Sequence, residues 1–276
     1  MTIIQALRSA LFYLLFLGQT VVLALVIGTL GRIFGRTQLG WNLSQYWGRS
    51  NLWFLRWVVG IRTDVAGEEN IPPGSCILAA KHMSDWDIFA LLPASKRPAF
   101  IAKKELMDLP FFGQAARAFD TIRLDRSQGG EAIPTMLEDA RAALARGARI
   151  IIFPEGTRKA PLDEHDYRYG IVRLYLGLNV PVVPAAVNSG LFWGRNSPLL
   201  WRGTARARFL PAIPPGLPPE EFRTRLIAAI EGETNTLLLQ AYEEGLARPI
   251  PDDMFEKFEA LKAGNPPGPA AQHTTA

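Results

Sequence analysis

The feature that most constrains the fold is an uncharged segment near the beginning of the chain. Arg8 and Arg32 enclose 23 residues without a charge, SALFYLLFLGQTVVLALVIGTLG. As a helix, this segment is long enough to cross the hydrocarbon core of a bilayer. Its polar centre at residues 18–20 also permits a re-entrant hairpin, and a buried helix of a soluble protein is the simplest alternative. A cleaved signal peptide fits less well, because the apolar run exceeds a usual h-region and no clear small-x-small site follows.

The distribution of charge favours a membrane surface. No Asp or Glu precedes Asp64, whereas six arginines do, and residues 64–276 carry 24 basic and 26 acidic side chains. Four of the seven tryptophans lie between residues 41 and 57 beside arginines, a composition typical of the headgroup region, although an amphipathic helix packed on the domain is the alternative. More arginines follow the apolar run than precede it. This asymmetry predicts that the following domain lies on the cytoplasmic side of the membrane.

Beyond residue 65, short apolar runs alternate with a helical pattern. Six runs predict strands: SCILAAK, PAFIAKK, FDTIRLD, ARIIIFP, VPVVPAAV and ARARFLP. Between Glu131 and Arg146 the apolar residues recur at helical spacing. The alternation predicts an α/β fold with a mixed, mostly parallel sheet flanked by helices. A membrane-embedded helix or helical hairpin precedes it.

The chain divides into four predicted regions. Residues 1–62 form a membrane-associated helical region and residues 63–215 form the α/β domain. Residues 216–263 form a helical region that packs on the domain, and residues 264–276 form a disordered tail rich in Gly and Pro. The single cysteine, Cys76, excludes an internal disulfide and is compatible with a reducing compartment.

The decapeptide KHMSDWDIFA, residues 81–90, holds the strongest candidates for catalysis. His82 follows a predicted strand, and Asp87 falls in the expected first turn of the next helix. One interpretation is structural, with Ser84 and Asp87 forming a capping box and His82 filling a turn. The other is a dyad, in which the histidine accepts a proton near neutral pH and the carboxylate fixes its tautomer. Because no G-x-S-x-G motif or cysteine pair accompanies them, the proton would come from the substrate, and a zinc site is not expected.

Cationic residues follow three other predicted strands, at Lys103, Arg126 and Arg158. Ligands of open α/β sheets gather at such strand ends. In the FPEGTR segment that contains Arg158, Gly156 permits a tight turn, and Glu155 either receives a hydroxyl or orients the arginine. Each feature alone also fits an ordinary surface turn. Together they favour a phosphate-bearing substrate beside the base.

Four blocks in this order resemble the glycerolipid acyltransferases, specifically the 1-acyl-sn-glycerol-3-phosphate acyltransferases. The blocks are H-x4-D at His82 and Asp87, K-x2-L-x6-G-x12-R at Lys103, Leu106, Gly113 and Arg126, FPEGTR at 153–158, and VPVVPA at 180–185. The first block alone is weakly specific, but the ordered set is highly specific. The resemblance covers roughly residues 65–215.

The resemblance implies a role for each matching residue. His82 would be the general base for the sn-2 hydroxyl of lysophosphatidic acid, and Asp87 would orient it. The activated oxygen would attack the thioester of acyl-CoA or acyl-carrier protein without an acyl-enzyme. The second and third blocks would bind the glycerol phosphate through Lys103, Arg126, Glu155, Gly156, Thr157 and Arg158. No metal or prosthetic group is implied, and docking on the inner-membrane bilayer is expected.

Two departures from the pattern concern the acceptor. Lys159 follows FPEGTR where many members have serine, and YRYG at 167–170 replaces a lysine-rich FKKG. Another lyso-lipid acceptor, such as a lyso-ornithine lipid or lysophosphatidylcholine, therefore stays open. An inert membrane lipid-binding protein is a further alternative, although it has no chemical need for the dyad. Nucleic acid is not expected as a partner, because the basic charge behind the pI of 9.3 lies in the tryptophan-rich apolar region.

Overall fold

The fold is built on a seven-stranded sheet in a computed structural model that describes residues 2–35, 38–95, 97–108, 113, 115–116, 120–125 and 131–269. The strands are β1 (Ile61–Ala66), β2 (Ile77–Ala80), β3 (Pro98–Lys103), β4 (Ile122–Leu124), β5 (Arg149–Ile152), β6 (Val182–Val187) and β7 (Gly203–Phe209). Their order is β1-β7-β6-β2-β5-β3-β4. Only the β6–β7 pair is antiparallel among these strands. The N-terminal ends of β1 and β7 therefore lie at the same end of the sheet, along the strand direction, as the C-terminal ends of the other five strands.

Helices cover both faces of the sheet and one of its edges. They are α1 (Thr2–Phe34), α2 (Gln38–Phe54), α3 (Trp86–Leu91), α4 (Lys104–Met107), α5 (Ala132–Ala145), α6 (Gly170–Leu178), α7 (Pro219–Glu243) and α8 (Asp252–Lys262). A π-helical turn, Leu55–Val59, continues α2 towards β1.

The predicted α/β class and mostly parallel sheet are confirmed. All six predicted strands are present, and α5 lies where helical spacing predicts it, with Pro134 in its first turn. Strand β1 was not predicted, because its sequence IRTDVA is a half-exposed strand at the sheet's edge with few apolar residues. The four-region division of the chain stays a prediction; β1 starts at Ile61, and residues 270–276 of the expected tail lie outside the described residues.

The central strand β2 is buried on both faces, which explains its continuous apolar sequence. Ile77 and Ala79 pack in the core beneath α5, α6 and α7, whereas Leu78 and Ala80 pack in the core on the opposite face. Full burial of each large aliphatic side chain stabilises the fold by about 1.5–3 kcal/mol. The cores hold the final ends of β2, β5 and β6 in fixed register, and these ends carry the residues of the candidate site.

Helix α1 is continuous through residues 18–20, so the structure has no re-entrant hairpin there. The polar residues at this point instead contact α2. Gln19 Nε2 donates to Ser50 Oγ at 2.6 Å, and Trp47 Nε1 donates to Thr20 Oγ1 at 2.9 Å. These hydrogen bonds join α1 and α2 into a two-helix unit.

Helix α1 lies along the sheet edge where β2, β5 and β6 end. Near its start, Gln5 Nε2 donates to the carbonyl of Leu200 at 2.6 Å, and near its end Ala24 and Ile27 are buried. The opposite face is apolar and exposed, with the residues Ile4, Leu7, Leu11, Leu14, Val21 and Leu25. By length and composition α1 is also the one helix in the described part of the chain that could cross a membrane.

Candidate active site

The loop after β2 places His82 through a set of backbone hydrogen bonds. The N–H groups of Met83 and Ser84 donate to Asp87 Oδ2 at 2.7 and 3.0 Å, and Ser84 Oγ accepts from the N–H of Trp86 at 3.1 Å. The bond from the Ser84 N–H to Asp87 is one half of the predicted capping box, whereas Ser84 Oγ accepts from the N–H of Trp86 in place of that of Asp87. The predicted structural role of Asp87 at the start of α3 is therefore present in part.

The same carboxylate also contacts His82. Asp87 Oδ2 lies 2.9 Å from His82 Nδ1, and Asp87 Oδ1 accepts from Ser189 Oγ at 2.5 Å. Asp87 is fully buried, whereas the His82 side chain is 14% exposed. The imidazole stacks on Phe153, with ring centroids 3.9 Å apart and an angle of 17° between the planes. One buried carboxylate thus contacts both the backbone N–H groups of the loop and the imidazole of His82.

The contact with Asp87 assigns the tautomer of His82. A carboxylate accepts a hydrogen bond from a protonated Nδ1, which leaves Nε2 with a lone pair in the neutral imidazole. The ring plane is held by Phe153 on one side and by Asp87 at Nδ1. His82 is therefore oriented to accept a proton from a group that enters the neighbouring cavity.

His82 lines a cavity of about 1120 Å³. Much of the wall is apolar and comes from several elements, including Leu23, Ala24 and Ile27 of α1, Ile88 of α3, Ile101 of β3 and Met136 of α5. The polar lining includes His82, Asp85, Thr157, Arg158, Arg168 and Arg195. A cavity of this kind suits a ligand with a long apolar part and an anionic group.

The FPEGTR segment turns sharply after β5 and enters this cavity. Gly156 has φ of 67°, in the left-handed region that favours glycine, and its N–H donates to the carbonyl of Phe153 at 2.9 Å. Gly156, Thr157 and Arg158 line the cavity. Arg158 Nη1 is 2.9 Å from Asp85 Oδ2. Burial raises the pKa of Asp85, and Arg158 opposes that shift.

Glu155 points elsewhere. It is buried and is not among the residues that line the cavity. Lys81 Nζ lies 3.0 Å from Glu155 Oε1 and 2.7 Å from Glu231 Oε1 of α7, and Tyr167 donates to the same Glu231 oxygen at 2.7 Å. Burial raises the pKa of Glu155, and Lys81 opposes the shift. Glu155 therefore does not orient Arg158, as the sequence suggested. It instead forms a cluster with Lys81, the residue before His82, and with Glu231.

The second block of the resemblance is only partly within the described residues. Lys103 ends β3, but its side chain is outside the described part of the chain, as is the whole of Arg126. Their role at a phosphate stays a prediction. The sequence reasoning missed Ser189, Phe153 as a stacking partner, Asp85 and Glu231. Ser189 and Glu231 lie 102 and 150 residues from their partners, and no local pattern marks them.

The chain is similar in sequence to known acyltransferases. A family model described as Acyltransferase matches residues 62–188. The 1-acyl-sn-glycerol-3-phosphate acyltransferase of Pseudomonas aeruginosa is 33% identical over 213 residues, which cover 77% of this chain and 83% of the relative. The chain belongs to the 1-acyl-sn-glycerol-3-phosphate acyltransferase family.

Two further relatives of the 1-acyl-sn-glycerol-3-phosphate acyltransferase family extend this comparison. The human 1-acyl-sn-glycerol-3-phosphate acyltransferase alpha is 31% identical over 179 residues, covering 63% of this chain and 62% of that protein. The crystal structure of the 1-acyl-sn-glycerophosphate (LPA) acyltransferase, PlsC, from Thermotoga maritima has the same fold. Its TM-score is 0.70 at 21% identity, and the match covers 84% of this chain and 95% of that one. The family model includes His82, Asp87 and FPEGTR, whereas Ser189 and Glu231 lie beyond it.

Proposed function

We propose that this protein transfers a fatty acyl group from a thioester donor to the sn-2 hydroxyl of 1-acyl-glycerol 3-phosphate (lysophosphatidic acid), forming phosphatidic acid. The observation that carries the proposal is the His82–Asp87 contact beside a large, mostly apolar cavity that also contains Arg158. The names of the relatives supply the reaction class.

His82 acts as general base in the proposed reaction. Its Nε2 accepts the proton of the sn-2 hydroxyl while that oxygen forms a bond to the thioester carbonyl carbon. The C–S bond then breaks, and the thiolate leaves and takes the proton from the imidazolium. Asp87 keeps Nδ1 protonated and stabilises the imidazolium. Base catalysis of this kind contributes about 10²–10⁴-fold, which suffices for an already activated thioester.

Arg158 binds the phosphate of the acceptor in this proposal. Its guanidinium offers two parallel donors, and Thr157 and Gly156 lie beside it in the same cavity. Lys103 and Arg126 are assigned to the same phosphate on the basis of the second block. Glu155 is instead proposed as a positioning residue, because its carboxylate contacts Lys81, the neighbour of His82.

The apolar wall of the cavity is proposed to hold a fatty acyl chain. Either acyl-CoA or acyl-carrier protein supplies the thioester, and no metal or prosthetic group takes part. Helix α1 contributes to this wall on one side and exposes a continuous apolar stripe on the other. We therefore place α1 in the plane of the cytoplasmic membrane, with the catalytic domain on the cytoplasmic side, so that a lipid enters the cavity from the bilayer.

A second acceptor class has one observation in its favour. Asp85 places a carboxylate against Arg158 in the cavity, and a carboxylate pairs with a cationic group more readily than with a phosphate. A lyso-lipid that carries an ammonium group, such as a lyso-ornithine lipid or lysophosphatidylcholine, would make use of both charges. The dyad would act in the same way on that acceptor.

An acceptor panel tests the proposal. Purified protein is given radiolabelled acyl-CoA or acyl-carrier protein with lysophosphatidic acid, glycerol 3-phosphate, a lyso-ornithine lipid and lysophosphatidylcholine. We expect the highest kcat/KM with lysophosphatidic acid, and a 10- to 100-fold higher acceptor KM in Arg158→Gln, roughly the value of a charged hydrogen bond. The exposed Arg141 of α5, which does not line the cavity, gives the matched control Arg141→Gln. Preference for a zwitterionic acceptor would support the second class, and transfer to no acceptor would contradict both.

A further inference from the structure

Three arginines surround a recess at the end of the sheet opposite β4. The recess has a volume of about 650 Å³, and its lining includes Arg56, Trp57, Gly60, Arg62 and Arg202. None of these residues lines the cavity that contains His82. The recess is thus a separate cationic site, which the proposed acyl transfer does not use.

The fold brings the three arginines together by a turn at Gly60. Gly60 has φ of 93°, ends the π-helical turn that carries Arg56, and leads directly into β1. In the parallel β1–β7 register Ile61 faces Gly203, so Arg62 and Arg202 flank the start of the paired strands. A Cβ atom on Gly60 would lie 3.2 Å from the Cβ of Arg202, which shows how closely these segments approach.

Within the described part of the chain, no acidic side chain pairs with this cluster. All three arginines are exposed, and none of the residues lining the recess is Asp or Glu. The described residues contain no ion pair to any of the three. Glu244, the carboxylate next to the recess in sequence, is held by Arg206 through contacts of 2.6 and 2.8 Å. The recess therefore concentrates three positive charges in a concave surface that suits a phosphate group.

The position of the recess indicates where that phosphate comes from. Because β1 and β7 run opposite to β2, the recess lies on the same side of the sheet as His82, three strands away and displaced further along the strand direction. Helix α1 begins over this end, where Gln5 contacts Val59 and Leu200, and then continues to the cavity. Exposed Trp57 lies beside the recess, 5.3 Å from Arg56 Cζ. Tryptophan beside arginine is typical of the headgroup layer of a bilayer.

We propose that this recess binds the phosphate of an anionic phospholipid headgroup in the bilayer, and so fixes the orientation of the catalytic edge on the membrane. The inference rests on the proposed docking of α1 in the membrane plane, but not on acyl transfer. Three arginines at an anionic surface raise vesicle affinity by about fivefold each, so by on the order of 100-fold together.

Vesicle flotation of the full-length protein tests this inference. Binding to vesicles of phosphatidylcholine alone is compared with binding to vesicles that contain about one-third phosphatidylglycerol, for wild type and for the triple variant Arg56→Gln, Arg62→Gln, Arg202→Gln. We expect wild type to prefer the anionic vesicles, and the triple variant to lose on the order of 100-fold in affinity for them while keeping its binding to phosphatidylcholine. If the triple variant does not fold, the single variants Arg62→Gln and Arg202→Gln test the same proposal. Each should lose about fivefold in affinity for anionic vesicles.

A matched variant distinguishes an effect of the recess on vesicle binding from an effect of the overall charge. Arg141, Arg173 and Arg225 are exposed on α5, α6 and α7, so their triple change to Gln removes the same charge elsewhere. We expect this control to keep the preference for anionic vesicles. Equal losses in both triple variants, or no loss in the recess variant, would overturn the proposal. So would a recess variant that still prefers anionic vesicles but no longer binds acyl-carrier protein, since the recess would then be a protein-docking site.

Discussion

Arg158 forms an ion pair with Asp85, because its Nη1 is 2.9 Å from Asp85 Oδ2. If Arg158 binds the acceptor phosphate, that phosphate must compete with Asp85. We expect Asp85→Asn to lower the KM for lysophosphatidic acid by about two- to fivefold, the value of a partly exposed ion pair. The measurement is a comparison of acceptor KM values in wild type, Asp85→Asn, Arg158→Gln and the double variant.

The double variant and the pH dependence control this prediction. In the Arg158→Gln background, Asp85→Asn should change nothing, because the arginine that it releases is absent. Burial raises the pKa of Asp85 in the folded protein, so its carboxylate is neutralised at a higher pH than that of an ordinary aspartate. The difference between wild type and Asp85→Asn should therefore shrink towards acidic pH. A higher KM in Asp85→Asn would instead indicate that Asp85 itself contacts the acceptor.

At the residue scale, the sequence predicted contacts that are local and missed those that are distant. The spacing of His82 and Asp87 and the capping signal at Ser84 predicted a shared loop, and the structure has that loop. The hydrogen bond from Ser189 depends on where β6 ends beside β2. Glu155 was misjudged because a turn motif does not reveal which way a side chain points.

Among the elements, α7 is joined to the loop that carries His82 by the cluster of Lys81, Glu155 and Glu231. Lys81 is 2% exposed and contacts both carboxylates. Lys81→Met leaves the buried Glu155 carboxylate and the partly buried Glu231 carboxylate without their cation, which costs about 3–5 kcal/mol. For a chain of this size we expect a Tm lower by on the order of 10 °C. The control Lys104→Met breaks an exposed pair with Asp125 and should cost no more than about 1 kcal/mol.

The pH dependence of this loss has a definite sign. Burial raises the folded-state pKa of Glu155 even with Lys81 present, and removing Lys81 removes the cation that opposes the shift. A carboxyl group with a raised folded-state pKa takes up a proton on folding, so its folded form is favoured as the pH falls. The Tm deficit of Lys81→Met should therefore shrink at acidic pH. Equal melting of both lysine variants at neutral pH would contradict a structural role for the cluster.

Helix α1 forms part of the cavity wall, and this role has its own test. Ala24 is 8% exposed and lines the cavity, whereas the next residue, Leu25, is 41% exposed on the outer face. Ala24→Phe should fill part of the cavity and lower kcat/KM for long-chain donors more than for short-chain ones. Leu25→Phe should leave the chain-length profile unchanged. The same dependence of kcat/KM on chain length in Ala24→Phe and Leu25→Phe would show that Ala24 does not contact the acyl chain.

At the element scale, apolar runs predicted most of the sheet but not the geometry around it. Runs such as RIII identify strands, because a strand covered on both faces must be apolar throughout. The edge strand β1 lacks this signal, since one side of it faces solvent. The polar residues Gln19 and Thr20 suggested a break in α1, but their partners Ser50 and Trp47 on α2 satisfy them within a helix.

For the whole molecule, entry of a lipid from the bilayer into the cavity requires α1 to lie in the membrane plane. Arg8 and Arg32 are exposed and would be about 36 Å apart along a straight helix, enough to separate them across a bilayer if α1 spanned it. The native Cys76 is buried, and burial raises the pKa of its thiol to about 11, so it should remain unlabelled. In sealed vesicles, Arg8→Cys and Arg32→Cys should both react with an impermeant maleimide from the same side. Reaction from opposite sides would contradict the in-plane arrangement.

Charge and hydropathy predicted an N-terminal membrane region but could not distinguish a spanning helix from one that lies in the plane. The difference depends on what α1 packs against, and only the fold supplies this. Buried residues at both ends of α1, such as Ser9 and Ile27, hold it against the domain along its length. The recess formed by Arg56, Arg62 and Arg202 likewise exists only because β1 and β7 start side by side.

In the proposed reaction His82 is the general base, and the most direct test is acyl transfer from a thioester to lysophosphatidic acid by wild type and His82→Ala. His165 lies in a loop and does not line the cavity, so His165→Ala is the matched control. Melting curves establish that both variants are folded. We predict that His82→Ala loses at least about 10²-fold in kcat while His165→Ala stays near wild type. Substantial acyl transfer by a folded His82→Ala protein would contradict the account and leave the His82–Asp87 contact as a helix cap alone.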